Sequence, residues 1–226
     1  MHVTHAVDHD QDSQNLQIDQ LQSIECHTKP VNMCTMVDYD KVVTCSREPI
    51  IKLWSLSGGG SEGPLASLEG HEMSVSTVAY EPSSNRVASA ARDCTTRVWD
   101  LEAQKSLMKR KISRNVATQV RWLPNSPQLF LETSEDLYMR AFDTRVKPFK
   151  PVVEFKVDTN FATTCDIWSE GNQDKYLVTG HRGFNGEGAD VKLWDLRKVL
   201  DVQSQDNVTS AELTCYEYTG HQFTPQ

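Results

Sequence analysis

The chain has 226 residues, with 23 Lys and Arg against 31 Asp and Glu, and a formal net charge of −8. No long block of Lys or Arg stands out, which argues against a surface that neutralises nucleic-acid phosphates or anionic lipid headgroups. No apolar run reaches the roughly 18 residues that a membrane helix needs. Residues 1–20 also lack the basic and apolar regions of a secretory signal. We therefore expect an intracellular, cytoplasmic protein with no nucleic-acid partner and no membrane insertion.

The cysteines carry no metal-binding or redox signature. There are six, at positions 26, 34, 45, 94, 165 and 215, and no two of them form a Cys-x-x-Cys pair. Most lie in apolar runs, where a free Cys behaves as a small hydrophobic residue. Disulfides are rare in reducing compartments, so we expect free thiols.

Four strand-like units follow one another along the chain, and each has a run of alternating apolar and polar residues that ends in an aromatic residue. The aromatic residues are Trp54, Trp99, Phe142 and Trp194, at intervals of 45, 43 and 52 residues. Two strand-like runs precede each aromatic: 31–36 and 41–44, 75–80 and 86–89, 117–122 and 128–131, and 162–168 and 175–179. Turn residues, such as those at 82–85 and 124–127, separate these runs.

A fourth strand-like stretch follows the aromatic, most clearly at 64–68 and 213–218, and each of these two leads into Gly-His, at Gly70-His71 and Gly220-His221. Four strands in a unit of roughly 40–45 residues, bounded by Gly-His and Trp-Asp, are typical of a propeller blade. No stretch has helical periodicity, so the sequence predicts an all-β fold.

The second unit contains the residue types of the internal clamp of a propeller blade. We expect hydrogen bonds to run from Trp99 through Ser89 and His71 to the turn residue Asp93. The first unit keeps the same spacing with substitutions, and its clamp residues are His27, Thr44, Glu48 and Trp54.

The third and fourth units depart from this pattern. In the third, Glu132 stands where the hydroxyl belongs, and Phe142 has no N–H to donate. In the fourth, Thr179 and Trp194 lie 15 residues apart, compared with 10 in the second unit. We expect both blades to depend on packing more than on a polar clamp.

Three groups of residues have the composition of a catalytic, metal-binding or phosphate-binding site, and each also has a simpler explanation. His71, Ser89 and Asp93 are the residue types of a hydrolase triad, but the set recurs in the first unit and Trp99 should cover it, which favours a structural role. His2, His5 and His9 have spacings that suit a metal on a helix, but the segment is polar and terminal. The glycine-rich residues 183–188 lead into a strand instead of the helix that a phosphate loop requires. We expect no catalytic residue, cofactor or metal.

Protein binding is predicted at one end of the blades, which we call the rim. The Gly-His loops and the turns that carry Asp93 and Asp136 should lie together there, with the insertion at 183–188. An aromatic residue beside an Arg is typical of a binding hot spot. The predicted rim residues are Arg47, Arg92, Glu135, Arg182, Phe184, Asn185 and Glu187.

The four units together resemble the WD-repeat family, whose fold is a closed β-propeller, over roughly residues 16–221. Three stretches are similar to the WD repeat-containing protein 31 group: residues 113–116, residues 133–136, and residues 183–188 followed by 193–197. Phe142 departs from the Trp expected at its position. The resemblance implies a non-enzymatic scaffold associated with cilium assembly, ciliary trafficking and small-GTPase regulation, located at the cilium or basal body.

An alternative function comes from aromatic-Asp-x-Arg, which occurs at Phe142–Arg145 and at Trp194–Arg197. This sequence resembles the motif by which WD proteins dock onto cullin 4-type ubiquitin ligases as substrate receptors. Arg145 and Arg197 would then contact the ligase adaptor. A surface Arg that follows an ordinary strand is the simpler explanation.

The blade count predicts an open propeller. We expect an acidic, disordered tail at 1–15, blades over 16–221 with repeats at about 27–56, 71–101, 114–145 and 160–197, and the start of a fifth repeat at 222–226. Seven blades would need about 300 residues. Terminal repeats without polar caps leave apolar surface open. We therefore expect an open arc with a tendency to self-associate, which is either a truncated product or fragment or gains its missing cover from another chain.

Overall fold

The computed structural model describes residues 23–57, 63–111, 116–157, 160–183 and 190–200. These residues form four antiparallel sheets, and each sheet is one blade built from strands that are consecutive in the sequence. Blade 1 contains β1 (Val31–Met36), β2 (Lys41–Ser46), β3 (Ile50–Ser55) and β4 (Ala66–Glu69). Blade 2 contains β5 (Val75–Glu81), β6 (Arg86–Ala91), β7 (Thr95–Asp100) and β8 (Lys105–Lys111). Blade 3 contains β9 (Ala117–Leu123), β10 (Ser126–Ser134), β11 (Tyr138–Asp143) and β12 (Pro151–Lys156). Blade 4 contains β13 (Ala162–Glu170), β14 (Gln173–His181) and β15 (Val191–Asp195), followed by helix α1 (Leu196–Leu200).

The sequence-based strands are confirmed, with one local difference. Strand β10 already begins at Ser126, so the turn predicted over 124–127 is shorter than expected. One short helix, α1, follows β15, and the fold is otherwise all-β, as predicted from the sequence. The predicted strand at 213–218, the tail at 1–15, the histidines His2, His5 and His9, and the fifth repeat at 222–226 lie outside the described residues.

Consecutive blades pack face to face, and an apolar core fills each of the three interfaces. Val43 and Ile51 of blade 1 belong to the same core as Trp99 of blade 2, and Phe130 of blade 3 belongs to the core shared with blade 2. The third core joins blades 3 and 4. Alternating side chains of a strand point to opposite faces, so each interior sheet supplies residues to two cores.

Hydrogen bonds between the innermost strands fix the register of neighbouring blades. The side-chain amide of Asn32 donates to the carbonyl of Val75 at 2.6 Å, which joins blades 1 and 2. The indole Nε1 of Trp122 donates to the carbonyl of Ala79 at 3.0 Å, which joins blades 3 and 2. The hydroxyl of Thr118 donates to the carbonyl of Ala162 at 2.6 Å and joins blades 3 and 4.

Among the described residues, the arc is open at blade 4. The pairs Ala88–Val98 and Leu131–Ala141 are fully buried because the next blade covers them. The equivalent pair in blade 4 is Val178–Leu193, and both of its members are only partly buried. On the same face, Trp168 is 53% exposed and Val191 is 40% exposed.

The five described cysteines are free thiols, and Cys215 lies outside the described residues. Burial raises the pKa of the Cys45 and Cys165 thiols to about 12, so both remain protonated and unreactive at neutral pH. Within the described ranges, no helix is long and apolar enough to cross a lipid bilayer.

Candidate functional site

In blade 2 the four predicted clamp residues lie in one hydrogen-bonded relay. The indole Nε1 of Trp99 donates to the hydroxyl of Ser89 at 2.7 Å. That hydroxyl lies 2.8 Å from Nε2 of His71, and Nδ1 of the same ring lies 3.1 Å from Oδ2 of Asp93. With the proton of His71 on Nδ1, every group in the relay has a donor and an acceptor in the right order.

Burial sets the protonation states of this relay. Desolvation lowers the pKa of His71 below its usual 6.5, although Asp93 opposes the shift. Desolvation alone would raise the pKa of Asp93, but hydrogen bonds from Thr95 and the backbone N–H of Glu72 outweigh it, and the pKa is lowered. A neutral imidazole therefore lies against an ionised carboxylate at pH 7.

Blade 1 repeats the relay with Thr and Glu. The indole Nε1 of Trp54 donates to the hydroxyl of Thr44 at 3.2 Å, which lies 2.8 Å from Nε2 of His27. Nδ1 of His27 lies 2.7 Å from Oε2 of Glu48. Hydrogen bonds from the hydroxyl of Thr28 and from His27 lower the pKa of Glu48 to about 2, against an opposing effect of burial.

Blade 3 has no such relay among its described residues. Glu132 occupies the position of Ser89 and is 1% exposed, and its carboxylate accepts a hydrogen bond from the hydroxyl of Thr96 in blade 2. Desolvation by complete burial raises the pKa of Glu132 to about 7. Phe142 replaces the indole and stacks on Phe130 with a centroid separation of 5.1 Å. The expectation that packing replaces the clamp is consistent with this aromatic contact.

Arg140 satisfies the turn carboxylate of blade 3. Its Nη2 donates to Oδ2 of Asp136 at 2.5 Å, and its Nε donates to Glu154 at 2.9 Å. Nη1 also lies 3.9 Å from Glu132. Burial would raise the pKa of Asp136, but the hydrogen bonds from Arg140 and Ser134 lower it instead. A guanidinium thus takes the place that His71 has in blade 2.

In blade 4 the expectation that packing replaces the polar clamp is wrong. The indole Nε1 of Trp194 donates to the hydroxyl of Thr179 at 2.8 Å, which lies 2.7 Å from Nε2 of His181. Nδ1 of His181 donates to the carbonyl of Asn160 at 2.6 Å. His181 comes from the end of β14, so its Gly180-His181 pair lies at a different place in the blade from Gly70-His71, which precedes the first strand of blade 2.

A basic residue two positions before each aromatic was also missed by the sequence analysis. The four equivalents are Lys52, Arg97, Arg140 and Lys192. Lys52 donates to the carbonyl of Cys26 at 3.1 Å, and Arg97 donates to the carbonyl of Gly70 at 2.6 Å. Each of these carbonyls directly precedes a clamp histidine. The repetition of Lys or Arg at this position was the available signal.

The geometry does not support hydrolysis. Ser89 is fully buried, and its hydroxyl is already engaged by Trp99 and His71. A nucleophile must be exposed to its substrate. Within the described part of the chain, no group of three or more His, Cys, Asp or Glu residues has a geometry that could hold a metal ion.

Four exposed rim residues occupy equivalent positions, each directly after the second strand of its blade. In every blade, the backbone N–H at this position donates to the carbonyl just before the first strand, at 3.0 Å, 2.9 Å, 3.0 Å and 3.4 Å in chain order. The residues are Arg47, Arg92, Glu135 and Arg182. Met73 lies in the loop that enters blade 2 and is 53% exposed. Phe184, Asn185 and Glu187 lie outside the described residues.

Arg145 and Arg197 lie at the opposite end of the blades, where β11 and β15 terminate. Each guanidinium forms a two-point ion pair with the Asp two residues before it. Nη2 of Arg145 lies 2.7 Å from Asp143, and Nη2 of Arg197 lies 2.7 Å from Asp195. Both side chains remain largely exposed, at 68% and 49%.

Residues 62–100 match the family model described as WD domain, G-beta repeat, and this match covers blade 2 up to the end of β7. The fold is an open WD-repeat β-propeller. The similarity of this propeller to the WD repeat-containing protein 31 group stays a prediction.

Three curated relatives illustrate what this WD-repeat chain is similar to. A ribosome biogenesis protein WDR12 homolog from Ixodes scapularis is 26% identical over 157 residues, which is 68% of this chain and 35% of that protein. Coronin-7 from Pongo abelii is 25% identical over 177 residues, which is 76% of this chain and 19% of that protein. Pre-mRNA-processing factor 19 homolog 2 from Arabidopsis thaliana is 28% identical over 187 residues, which is 81% of this chain and 33% of that protein. The chain thus spans about a third of the length of two of these relatives and about a fifth of coronin-7.

Proposed function

We propose that this chain is a non-enzymatic protein-interaction scaffold that binds its partner at the rim. The proposal rests on the backbone hydrogen bond that recurs in all four blades and holds Arg47, Arg92, Glu135 and Arg182 at equivalent exposed positions. Arginine is enriched at the energetic centre of protein interfaces. The exposed Met73 adds apolar surface beside these charges.

Affinity capture from cells tests the choice of the rim. The change Arg92→Ala combined with Phe184→Ala should weaken capture of the partner and leave the melting temperature unaltered. Arg145→Ala combined with Arg197→Ala is the matched control at the opposite end. The choice of surface would be wrong if the partner were still captured by the rim variant but no longer captured by this control variant.

We further propose a cytoplasmic role in cilium assembly or ciliary trafficking and in small-GTPase regulation, at the cilium or basal body. This proposal depends on the resemblance of residues 113–116, 133–136, 183–188 and 193–197 to the WD repeat-containing protein 31 group. The relatives' names refer to different processes and do not select among them. Labelling of basal bodies or axonemes by the tagged protein is the expected result, and exclusion from both would refute it.

A substrate receptor of a cullin 4-type ubiquitin ligase is the second candidate. The similar ion pairs of Arg145 and Arg197 on consecutive blades favour it, because each guanidinium is held by an Asp and remains exposed. Capture of a cullin adaptor that disappears when both arginines become alanine would support this function. Unchanged capture after both substitutions would exclude the docking role of these residues.

We also propose that the open face of blade 4 associates with a second copy of the chain. Trp168 and Val191 are exposed there, at a face that a neighbouring blade covers in blades 1–3. Sedimentation velocity should detect a concentration-dependent dimer or larger species, and Val191→Glu should shift the distribution toward monomer. A monodisperse monomer in both proteins would refute this association.

A further inference from the structure

The outer strand of blade 2 carries an unusual density of positive charge. Strand β8 contains Lys105, Lys109, Arg110 and Lys111 among its seven residues, in a chain whose net charge is −8. All of its residues are exposed except Met108, and Leu107 is 45% exposed. The expectation that no basic block stands out is therefore wrong for this segment.

Strand β8 lies at the edge of its sheet. It pairs with β7 on one side and, within the described part of the chain, with no strand on the other. An unpaired edge presents backbone N–H and C=O groups that can pair with an additional strand. At roughly 3.3 Å per residue, a seven-residue strand offers an edge of about 23 Å.

The outer edges of the neighbouring blades are less suited to strand addition. Strand β4 has only four residues, and β12 begins with Pro151, which has no N–H to donate. Lysine on an edge strand is a common protection against aggregation. The same charges repel a basic strand and attract a strand of opposite charge, so they favour an acidic segment.

The charges of β8 are available to a ligand. Lys109 lies 3.5 Å from the exposed carboxylate of Glu72, which shows that this strand can pair with carboxylates. Lys105, Arg110 and Lys111 form no ion pair with any described residue. The cross-strand register sets Lys109 opposite Arg97 and Arg110 opposite Thr96, so positive charge is presented on both faces of the sheet.

We propose that β8 is a docking strand for an extended acidic segment of a partner protein, which adds to the edge of blade 2 as a fifth strand. Leu107 and Met108 supply the apolar contacts, and the basic residues pair with carboxylates. A single-stranded nucleic acid fits less well, because β8 has no aromatic side chain on which bases could stack. The strand reaches the rim where Lys109 lies 3.5 Å from Glu72, but the proposal does not depend on the function proposed for the rim.

Fluorescence anisotropy with a labelled peptide tests the proposal. The probe alternates Glu and Val and has the length of β8. Lys109 and Arg110 point to opposite faces of the sheet, so one of them meets the Glu side of the alternating probe whichever way the probe pairs. The double change Lys109→Glu and Arg110→Glu should therefore weaken binding about tenfold, because it replaces that cross-strand attraction with a repulsion. Lys147→Glu combined with Lys150→Glu makes the same change in net charge at exposed positions outside β8, and should alter binding less than about twofold.

Three further arms separate the alternatives. Lys105→Glu combined with Lys111→Glu provides a second β8 variant if the first fails to fold, as judged by circular dichroism. A probe N-methylated at alternate residues cannot donate the strand hydrogen bonds, and its affinity should fall to the level of the β8 variant. Four outcomes would each overturn the proposal. The methylated and unmethylated probes could bind equally tightly, or the control variant could lose as much affinity as the β8 variant. The parent protein could also show no detectable binding of the probe, or could bind a uridine oligonucleotide more tightly than the acidic peptide.

Discussion

Blades 2 and 3 share an interface and the same strand order, yet they stabilise the turn after their second strand in different ways. In blade 2 a neutral imidazole bridges the two residues, accepting a hydrogen bond from Ser89 and donating one to Asp93. In blade 3 the guanidinium of Arg140 reaches Asp136 directly, the hydroxyl of Ser134 donates to the same carboxylate, and neither an indole nor an imidazole takes part. Both blades therefore provide a hydrogen-bond donor for the turn carboxylate, but the side chain that supplies it differs.

The substitutions in blade 3 are coupled by hydrogen-bonding requirements. Trp99 needs an acceptor, and Ser89 provides one at 2.7 Å. Phe142 has no N–H, so the position of the hydroxyl becomes free for Glu132, which pairs across the interface with Thr96. A buried donor or acceptor left alone would cost about 1–3 kcal/mol. Loss of the indole and loss of the hydroxyl are therefore expected to accompany each other.

The largest difference between the two blades should appear when the basic residue of β11 or β7 is removed. Arg140→Met leaves Glu132 and Asp136 without their cation and should lower the free energy of unfolding by about 3–5 kcal/mol. Arg97→Met loses a hydrogen bond to a carbonyl and a contact with the Trp99 ring, and should cost about 1–2 kcal/mol. Urea unfolding of the two variants gives the comparison. Equal losses would mean that the ion pairs of blade 3 carry no special weight.

Removal of the turn carboxylate from blade 2 should have the next largest effect. Asp93→Ala leaves Nδ1 of His71 and the backbone N–H groups of Glu72 and Thr95 without their acceptor. We expect a loss of about 2–3 kcal/mol by urea unfolding. Glu102→Ala, at an exposed position in the turn after β7, is the control and should leave the midpoint unchanged. An Asp93→Ala protein that melts like the parent would show that the relay does not stabilise the blade.

The two blades should respond to pH in opposite directions. The pKa of Glu132 is raised from 4.5 to about 7 in the folded state, so the folded protein holds this proton more tightly than the unfolded chain. Its contribution is complete below pH 4.5 and is lost as the pH rises through about 7. The pKa of His71 is lowered from 6.5, so stability from its neutral form is lost as the pH falls below that value.

Glu132→Gln isolates the contribution of blade 3, because the effect of His71 is the same in both proteins and cancels in the difference. The variant should match the parent near pH 5 and should be more stable at pH 8 by on the order of 2 kcal/mol. Urea unfolding at both pH values measures this difference. A constant difference between the two proteins would contradict protonation of Glu132 in the folded state.

The sequence predicted the positions of the repeated strands better than the hydrogen-bond partners of the side chains within each blade. Periodicity and turn residues located the first three strands of each blade and β4, because alternation and strand length are local properties, but they gave no bounds for β8 and β12. Spacing alone also located the relay of blades 1 and 2. It failed for His181, which enters the relay of blade 4 from the strand itself, and for Arg140, whose role depends on the absence of an indole two residues later. Such replacements are visible only when the strands are paired in space.

The smallest expected effect tests whether positions 132 and 142 form an interchangeable pair. Phe142→Trp inserts a larger ring against Phe130 and leaves its N–H without an acceptor, which should cost about 1–2 kcal/mol. Adding Glu132→Ser supplies a hydroxyl ten residues before the indole, the separation found for Ser89 and Trp99. Arg140 keeps Asp136 and Glu154 in this double variant.

A double-mutant cycle in urea should therefore give a favourable coupling of about 1 kcal/mol between the two changes, the value of one buried hydrogen bond. The comparable cycle in blade 2, with Trp99→Phe and Ser89→Ala, removes the same bond from the other direction and should give a coupling of similar size. The two changes could have additive effects on the free energy of unfolding in blade 3 while the changes in blade 2 are coupled. That result would mean that the hydroxyl and the indole form their hydrogen bond only when a histidine links the hydroxyl to the turn carboxylate. Coupling in both blades would mean that the pair alone is sufficient, and that blade 3 differs from blade 2 by two concerted substitutions and the recruitment of Arg140.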